Sequence, residues 1–444
     1  MNASSTLSRT GLALLGGAAL LLSACAEPEV ILPGEREPIR PVTEEQMAQD
    51  GFENRALPIR LPAQTANAVW AQGQGTPSYR IAHPALSKTP KLAWSVNIGE
   101  GDGRRQRITA APVVANGLIY TLDSAARVTA VTTDGAIAWS RDLVPATDKD
   151  GEATGGGLAY HDGVLYISSG YGLLTALEAA SGEIRWQQQL EATGSGKPTI
   201  YDGLIYLVAG DDTGWAVRAK DGRIAWQVTA TPSVANVLGA PAPALTRELA
   251  IFAFGSGDLI ATFRRGGLRR WSASVAGQRK GRAKSQVLDV TGSPVVAGNH
   301  VYAANNVGRT VSYDLETGER LWTAREGSLG PVLVTGGSVF SISDQNHLAR
   351  MDANDGSTIW SVRLSDYIKD TSRKRGPVYA NYGPILAGGQ IITASNDGWL
   401  HFYKPEDGLQ FYSAFVPGGA TTAPVVAGRT LYVVSTKGEL HAFR

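Results

Sequence analysis

The chain has 444 residues, 43 % of them hydrophobic and 18 % charged, with 41 Lys and Arg set against 40 Asp and Glu. So even a balance provides no global field to draw in nucleic acid or an anionic membrane surface. A single cysteine excludes an internal disulfide, a thiolate zinc cluster and a redox pair.

The N-terminus carries one charge, Arg9, followed by the apolar run from Gly11 to Leu22 and then Ser23, Ala24 and Cys25. These are the three regions of a secretory signal peptide, too short to span a membrane and stay. The tetrad Leu22-Ser23-Ala24-Cys25 resembles the bacterial lipobox, which implies cleavage before Cys25 and acylation of its thiol and new amine. Ala26 follows where an Asp would signal inner-membrane retention, so the expected place is the periplasmic face of the outer membrane. The expected divisions are a signal peptide over 1–24, an acylated Cys and a tether over 25–85, and a folded domain over 86–444. From Ala26 to about Gln64, six prolines interleave with acids from Glu27 to Glu53 and no apolar period emerges, which predicts an extended tether.

Beyond it one pattern recurs: Pro or a small residue, two or three β-branched residues, a Gly turn, an apolar pair with Tyr or Phe, a short strand, an acidic-Gly turn, then Trp. The first copy runs through Pro112-Val113-Val114, Gly117, Ile119-Tyr120, Asp134-Gly135 and Trp139. Later copies end at Trp186, Trp226, Trp271, Trp322, Trp360 and Phe411. The last, Pro424 to Phe443, stops before its Trp strand, while an orphan strand carrying Trp94 precedes the first copy. The mean step from Trp94 is about 45 residues, the length of a four-stranded propeller blade. The missing strand and the spare one match. The prediction is an all-β, eight-bladed β-propeller in which the N-terminal strand completes the C-terminal blade, since closure removes unpaired edges. A Trp at one position in every copy reads as a packing element rather than a cofactor stack.

The segments Leu165-Tyr166-Ile167, Gly172-Leu173-Leu174-Thr175-Ala176-Leu177 and Ser181-Gly182-Glu183-Ile184-Arg185-Trp186 resemble the repeats of pyrroloquinoline quinone (PQQ) dehydrogenases, a resemblance that covers 91–444. Those enzymes clamp the quinone with a vicinal disulfide, which a lone cysteine cannot form. The six histidines stand singly, without metal-ligand spacing. The expectation is therefore no enzyme, no catalytic residue, no cofactor and no metal.

Lipobox, tether and eight such repeats together resemble the BamB family, lipoprotein subunits of the outer-membrane β-barrel assembly machinery. Two long inter-blade segments, 231–239 and 287–294, look like the family's two docking loops. The resemblance implies that Val234, Val237 and Leu238 are apolar anchors and Asp289 an acidic contact for the periplasmic POTRA domains of BamA, the barrel-forming subunit. It also implies the machinery's other lipoproteins as neighbours and unfolded barrel precursors as passing partners. Leu238 stands where the family usually has an arginine and Thr291 where it has a second acid, so the expected interface is either more apolar or uses Arg247 instead. Three other readings stay open: the apolar residues fold inward over the ring's mouth; the funnel binds a sugar or peptide; or the chain is a quinoprotein dehydrogenase.

Overall fold

The structure, a computed structural model, describes residues 53–149, 151–192, 196–232, 239–275, 277, 290–365, 367–369 and 378–444. The described residues contain no helix and form eight four-stranded antiparallel sheets. Blade 1 consists of Val113–Ala115, Leu118–Leu122, Arg127–Thr132 and Ile137–Asp142. Blades 2 to 7 follow over 156–189, 199–229, 244–274, 295–324, 333–363 and 381–415. Blade 8 takes three strands from 425–443 and its fourth, Leu92–Asn97, from the other end of the chain, as the missing and spare strands predicted. The first three strands of each blade are near-continuous apolar runs because neighbours cover both faces; Val164–Ser169 is buried throughout. Fourth strands have one covered face and alternate, as in Ile184–Gln189.

A repeated contact joins each blade to the next. The fourth-strand Trp donates its indole N–H to a carbonyl in the following blade at 2.8–3.1 Å, from Trp94 to Thr133 through Trp360 to Pro405. Its ring lies on the acidic-Gly turn of that blade. A β-carbon on Gly135, Gly182, Gly222, Gly267, Gly318, Gly356 or Gly408 would come within 2.6–3.0 Å of the ring, and each of these glycines has a φ of +72° to +96°. Both constraints demand glycine. The eighth contact corrects the sequence reading. The aromatic stands four residues after the glycine, which in blade 7 selects Tyr412 and not Phe411; Tyr412 pairs with Phe402 in the register that Trp139 keeps with Ala130. Its hydroxyl donates to the carbonyl of Pro90, which occupies the glycine's place before Trp94. Phe411 is exposed.

Residues 54–90 are bonded to the propeller, although the sequence reading carried the tether to residue 85. They form a strap across the face that bears the first-to-second turns of the blades. It begins at blade 6, where Arg55 N donates to Ile359 O and the buried Arg350 donates to Leu57 O and Pro58 O, at 2.6 and 3.3 Å. Asn67 then meets Val426 and Gly428 of blade 8, Trp70 exchanges both backbone bonds with Val114 of blade 1, and Ala71 O accepts from Tyr160 N of blade 2. The Gln72 amide stands in for a strand partner of blade 3, its Oε1 accepting Ile200 N at 2.7 Å and its Nε2 donating to Ile200 O at 3.3 Å. Pro77, Ser78 and Pro84 give their carbonyls to Leu245, Val296 and Gly388 of blades 4, 5 and 7. The strap therefore touches every blade.

Candidate docking face

Antiparallel strands place the first-to-second and third-to-fourth turns of a blade at one end, and the second-to-third turns and inter-blade connections at the other. The strap covers the first end. The roots of both expected docking loops, Pro232 and Gly239 for one and Gly277 and Val290 for the other, belong to inter-blade connections and so to the opposite face. Val234, Val237, Leu238 and Asp289 themselves, like Cys25, lie outside the described residues.

The two roots are tied together. Ser293, just after the second loop, accepts Ala242 N, just after the first, at 2.9 Å. Val290 is fully buried, and the Asn305 amide donates to Val275 O and Gly277 O at 3.1 and 3.0 Å. Thr291 donates its hydroxyl to Ser328 O in the connection to blade 6, so the residue standing in for a second acid is engaged within the fold. A β-carbon on Gly239 would lie 3.8 Å from Thr109, in the connection that enters blade 1, which brings the first root across the ring's mouth. Burial there lowers the pKa of Lys197, whose backbone N–H donates to Ala240 O at 3.4 Å.

Arg247 does not serve these loops. It sits in the first-to-second turn of blade 4, at the other end of the inner strand Ala244–Leu245 from Gly239 and so on the opposite face. The sequence offered it because eight residues look close in the chain; a strand between them carries them to opposite faces.

The histidines are dispersed. His83 fastens the strap by its ring nitrogens to Pro62 O and Gly389 N, at 2.7 and 2.8 Å. His401 pairs with Asp397 at 3.2 Å in blade 7, and the fully buried His441 joins Ser95 of the closing strand at 2.7 Å. Among the described residues no three His, Cys, Asp or Glu side chains gather as metal ligands.

Residues 124–362 match the family described as "Outer membrane protein assembly factor BamB". The protein of that name from Escherichia coli strain K12 is 30 % identical over 362 residues, covering 80 % of this chain and 88 % of its own. The chain belongs to the BamB family. A more distant relative of the same name, from Shewanella oneidensis, is 23 % identical over 364 residues, 79 % of this chain and 88 % of its own. Among solved structures, BamB from Moraxella catarrhalis superposes with a TM-score of 0.66 at 18 % identity, covering 80 % of this chain and all of that one. The quinohemoprotein alcohol dehydrogenase of Comamonas testosteroni reaches 0.67 at 15 % identity, covering 85 % of this chain and 81 % of its own. At such identities both are likenesses of fold. The BamB relatives bear the name of assembly factors, which agrees with a non-enzymatic role.

Proposed function

We propose that the chain is a non-catalytic scaffold lipoprotein of the outer-membrane β-barrel assembly machinery, held at the periplasmic face of the outer membrane by acylated Cys25. In this reading Val234, Val237, Leu238 and Asp289 dock on the POTRA domains of BamA and thereby assist the insertion of β-barrel proteins. Membership of the BamB family carries the proposal. The bond between the two loop roots, Ala242 N to Ser293 Oγ, supports it, because it fixes neighbouring loops to one base and lets them present one surface. Docking needs exposed apolar anchors and no reacting group, and rigid supports reduce the ordering cost of binding.

The test is co-purification. A C-terminally tagged chain drawn from mildly solubilised outer membranes brings BamA with it, and Leu238→Asp and Asp289→Ala reduce the yield of BamA while circular dichroism stays unchanged. Wild type arriving without BamA overturns the function; undiminished recovery in both variants overturns the site.

A further inference from the structure

Eight repeats are eight versions of one design, so a departure confined to one blade marks something that the fold itself does not require. Blade 4 departs twice, both times on the strap face. The loop between first and second strands has two residues and contains a glycine in the other seven blades, from Gly117 to Gly428, but is the glycine-free Thr246-Arg247-Glu248 in blade 4. There Thr246 Oγ1 makes the turn by accepting Glu248 N and Leu249 N, at 3.2 and 2.8 Å. The residue whose carbonyl receives the preceding Trp is Thr133, Ala179, Ala219, Leu315, Ala353 or Pro405 elsewhere; in blade 4 it is Arg264, followed by Arg265.

The two departures meet. Arg264, 3 % exposed, lies over the Tyr201 ring at 4.7 Å and donates from Nε and Nη2 to the carbonyl of Arg247, at 3.3 and 3.1 Å. Arg264 and Arg265 both donate to Asp202 Oδ2, at 3.1 and 3.2 Å, and hold that carboxyl below its usual pKa. Arg264 thus props up the Arg247 turn, and Arg247 and the 81 %-exposed Arg265, which shares Asp202 with Arg264, stand beside Asp202 and Glu248 at the rim of a cavity of about 840 Å³. Arg247 makes no ion pair among the described residues. Strap residues 71–77 form the far wall, with Ile200, Phe263, Tyr160 and Pro77 as apolar lining.

The geometry points to a binding site for an amphiphilic anion, an apolar body ending in a carboxylate or like oxyanion. The apolar lining takes the body, and the two rim guanidiniums supply charged donors to its head. The volume falls within the ~300–1,000 Å³ of small-molecule sites. The site lies on the face opposite the docking loops and does not depend on the docking proposal. Two sources carry this chemistry, a free organic acid and the C-terminal residue of a polypeptide.

The probe is 8-anilinonaphthalene-1-sulfonate, compared with its uncharged counterpart N-phenyl-1-naphthylamine, on the full chain carrying Cys25→Ser so that acyl chains do not compete. The sulfonate is expected to saturate one site at least tenfold more tightly than the neutral dye. Arg247→Ala with Arg265→Ala weakens the sulfonate about tenfold, as expected for charged contacts at an exposed rim, leaving the neutral dye and the circular dichroism unchanged. Displacement of the sulfonate by decanoate assigns the site to free acids; displacement by acetyl-Ala-Ala-Leu but not by its amide assigns it to chain ends. Equal binding of the two dyes, an unaffected double variant, or displacement by neither competitor overturns the proposal.

Discussion

Arg350→Met tests how the strap is held. The substitution keeps the bulk of the side chain over Phe340, 6.0 Å from the ring, and removes the guanidinium, whose pKa burial lowers. Two of its bonds reach the strap, at Leu57 O and Pro58 O; others go to Pro405 O and Glu406 O within the propeller. At about 1.5 kcal/mol for each charge-assisted bond, the strap loses ~3 kcal/mol of anchorage, a factor of about a hundred in local opening. Hydrogen exchange reads this directly, because Arg55 N and Leu57 N are bonded to Ile359 O and Glu406 O beside the clamp. These two amides exchange up to about a hundredfold faster in the variant, while Trp70 N, bonded to Val114 O of blade 1, and Gly428 N of blade 8, bonded to Asn67 O of the strap, keep their rates. Unchanged exchange at Arg55 and Leu57 refutes the clamp, and equal acceleration at all four sites refutes the local mechanism.

Three further outcomes follow from the blade contacts and the closing strand. Gly222→Ala sets a β-carbon 2.6 Å from the Trp186 ring at φ +72° and costs about 2–3 kcal/mol, whereas Gly203→Ala, at φ +75° with nothing within 4 Å, costs about 1 kcal/mol; urea midpoints separate the two, and equal losses dismiss the steric part. Tyr412→Phe removes the hydroxyl bond to Pro90 O and lowers stability by about 1 kcal/mol with no change in fold by circular dichroism; an unchanged urea midpoint removes the hydroxyl from the seam. Burial holds the His441 imidazole below its usual 6.5, so the unfolded chain binds more protons below that pH. Stability therefore falls as pH drops from about 6.5 toward the folded-state value; between pH 7.5 and 5.5 wild type loses more than His441→Gln, and matching losses acquit this residue.

The ring was legible because its signals are local and repeated. A Trp four residues past a turn glycine recurs whatever the tertiary context, and the unmatched strand around Trp94 could pair only with the unfinished copy at Phe443. The same spacing, applied strictly, selects Tyr412 over Phe411; two adjacent aromatics obscured it. The strap left no such trace. It bonds through backbone groups and single side chains such as Gln72 and Asn67 to the ends of other strands, so it needs neither alternation nor a helical period, and its prolines read as tether. Nothing in the sequence marks out Arg264-Arg265, because the partners that bury Arg264, Asp202 and Arg247 O, lie 62 and 17 residues away. The apolar docking residues were recognised by family resemblance rather than by any physical pattern of their own.

The closing strand sets an order of events in the life of the chain. Leu92–Asn97 is synthesised long before its partner, Glu439–Phe443. The strap upstream is in a similar position, since its hydrogen-bond partners are spread over all eight blades. A chain emerging N-terminus first therefore cannot satisfy the whole of this segment until the strands over 425–443 are made. Such widely separated partners make ring closure a late event in folding. Loss of even the last five residues leaves Leu92–Asn97 without a place, so a prematurely terminated chain announces itself by an unprotected N-terminal segment.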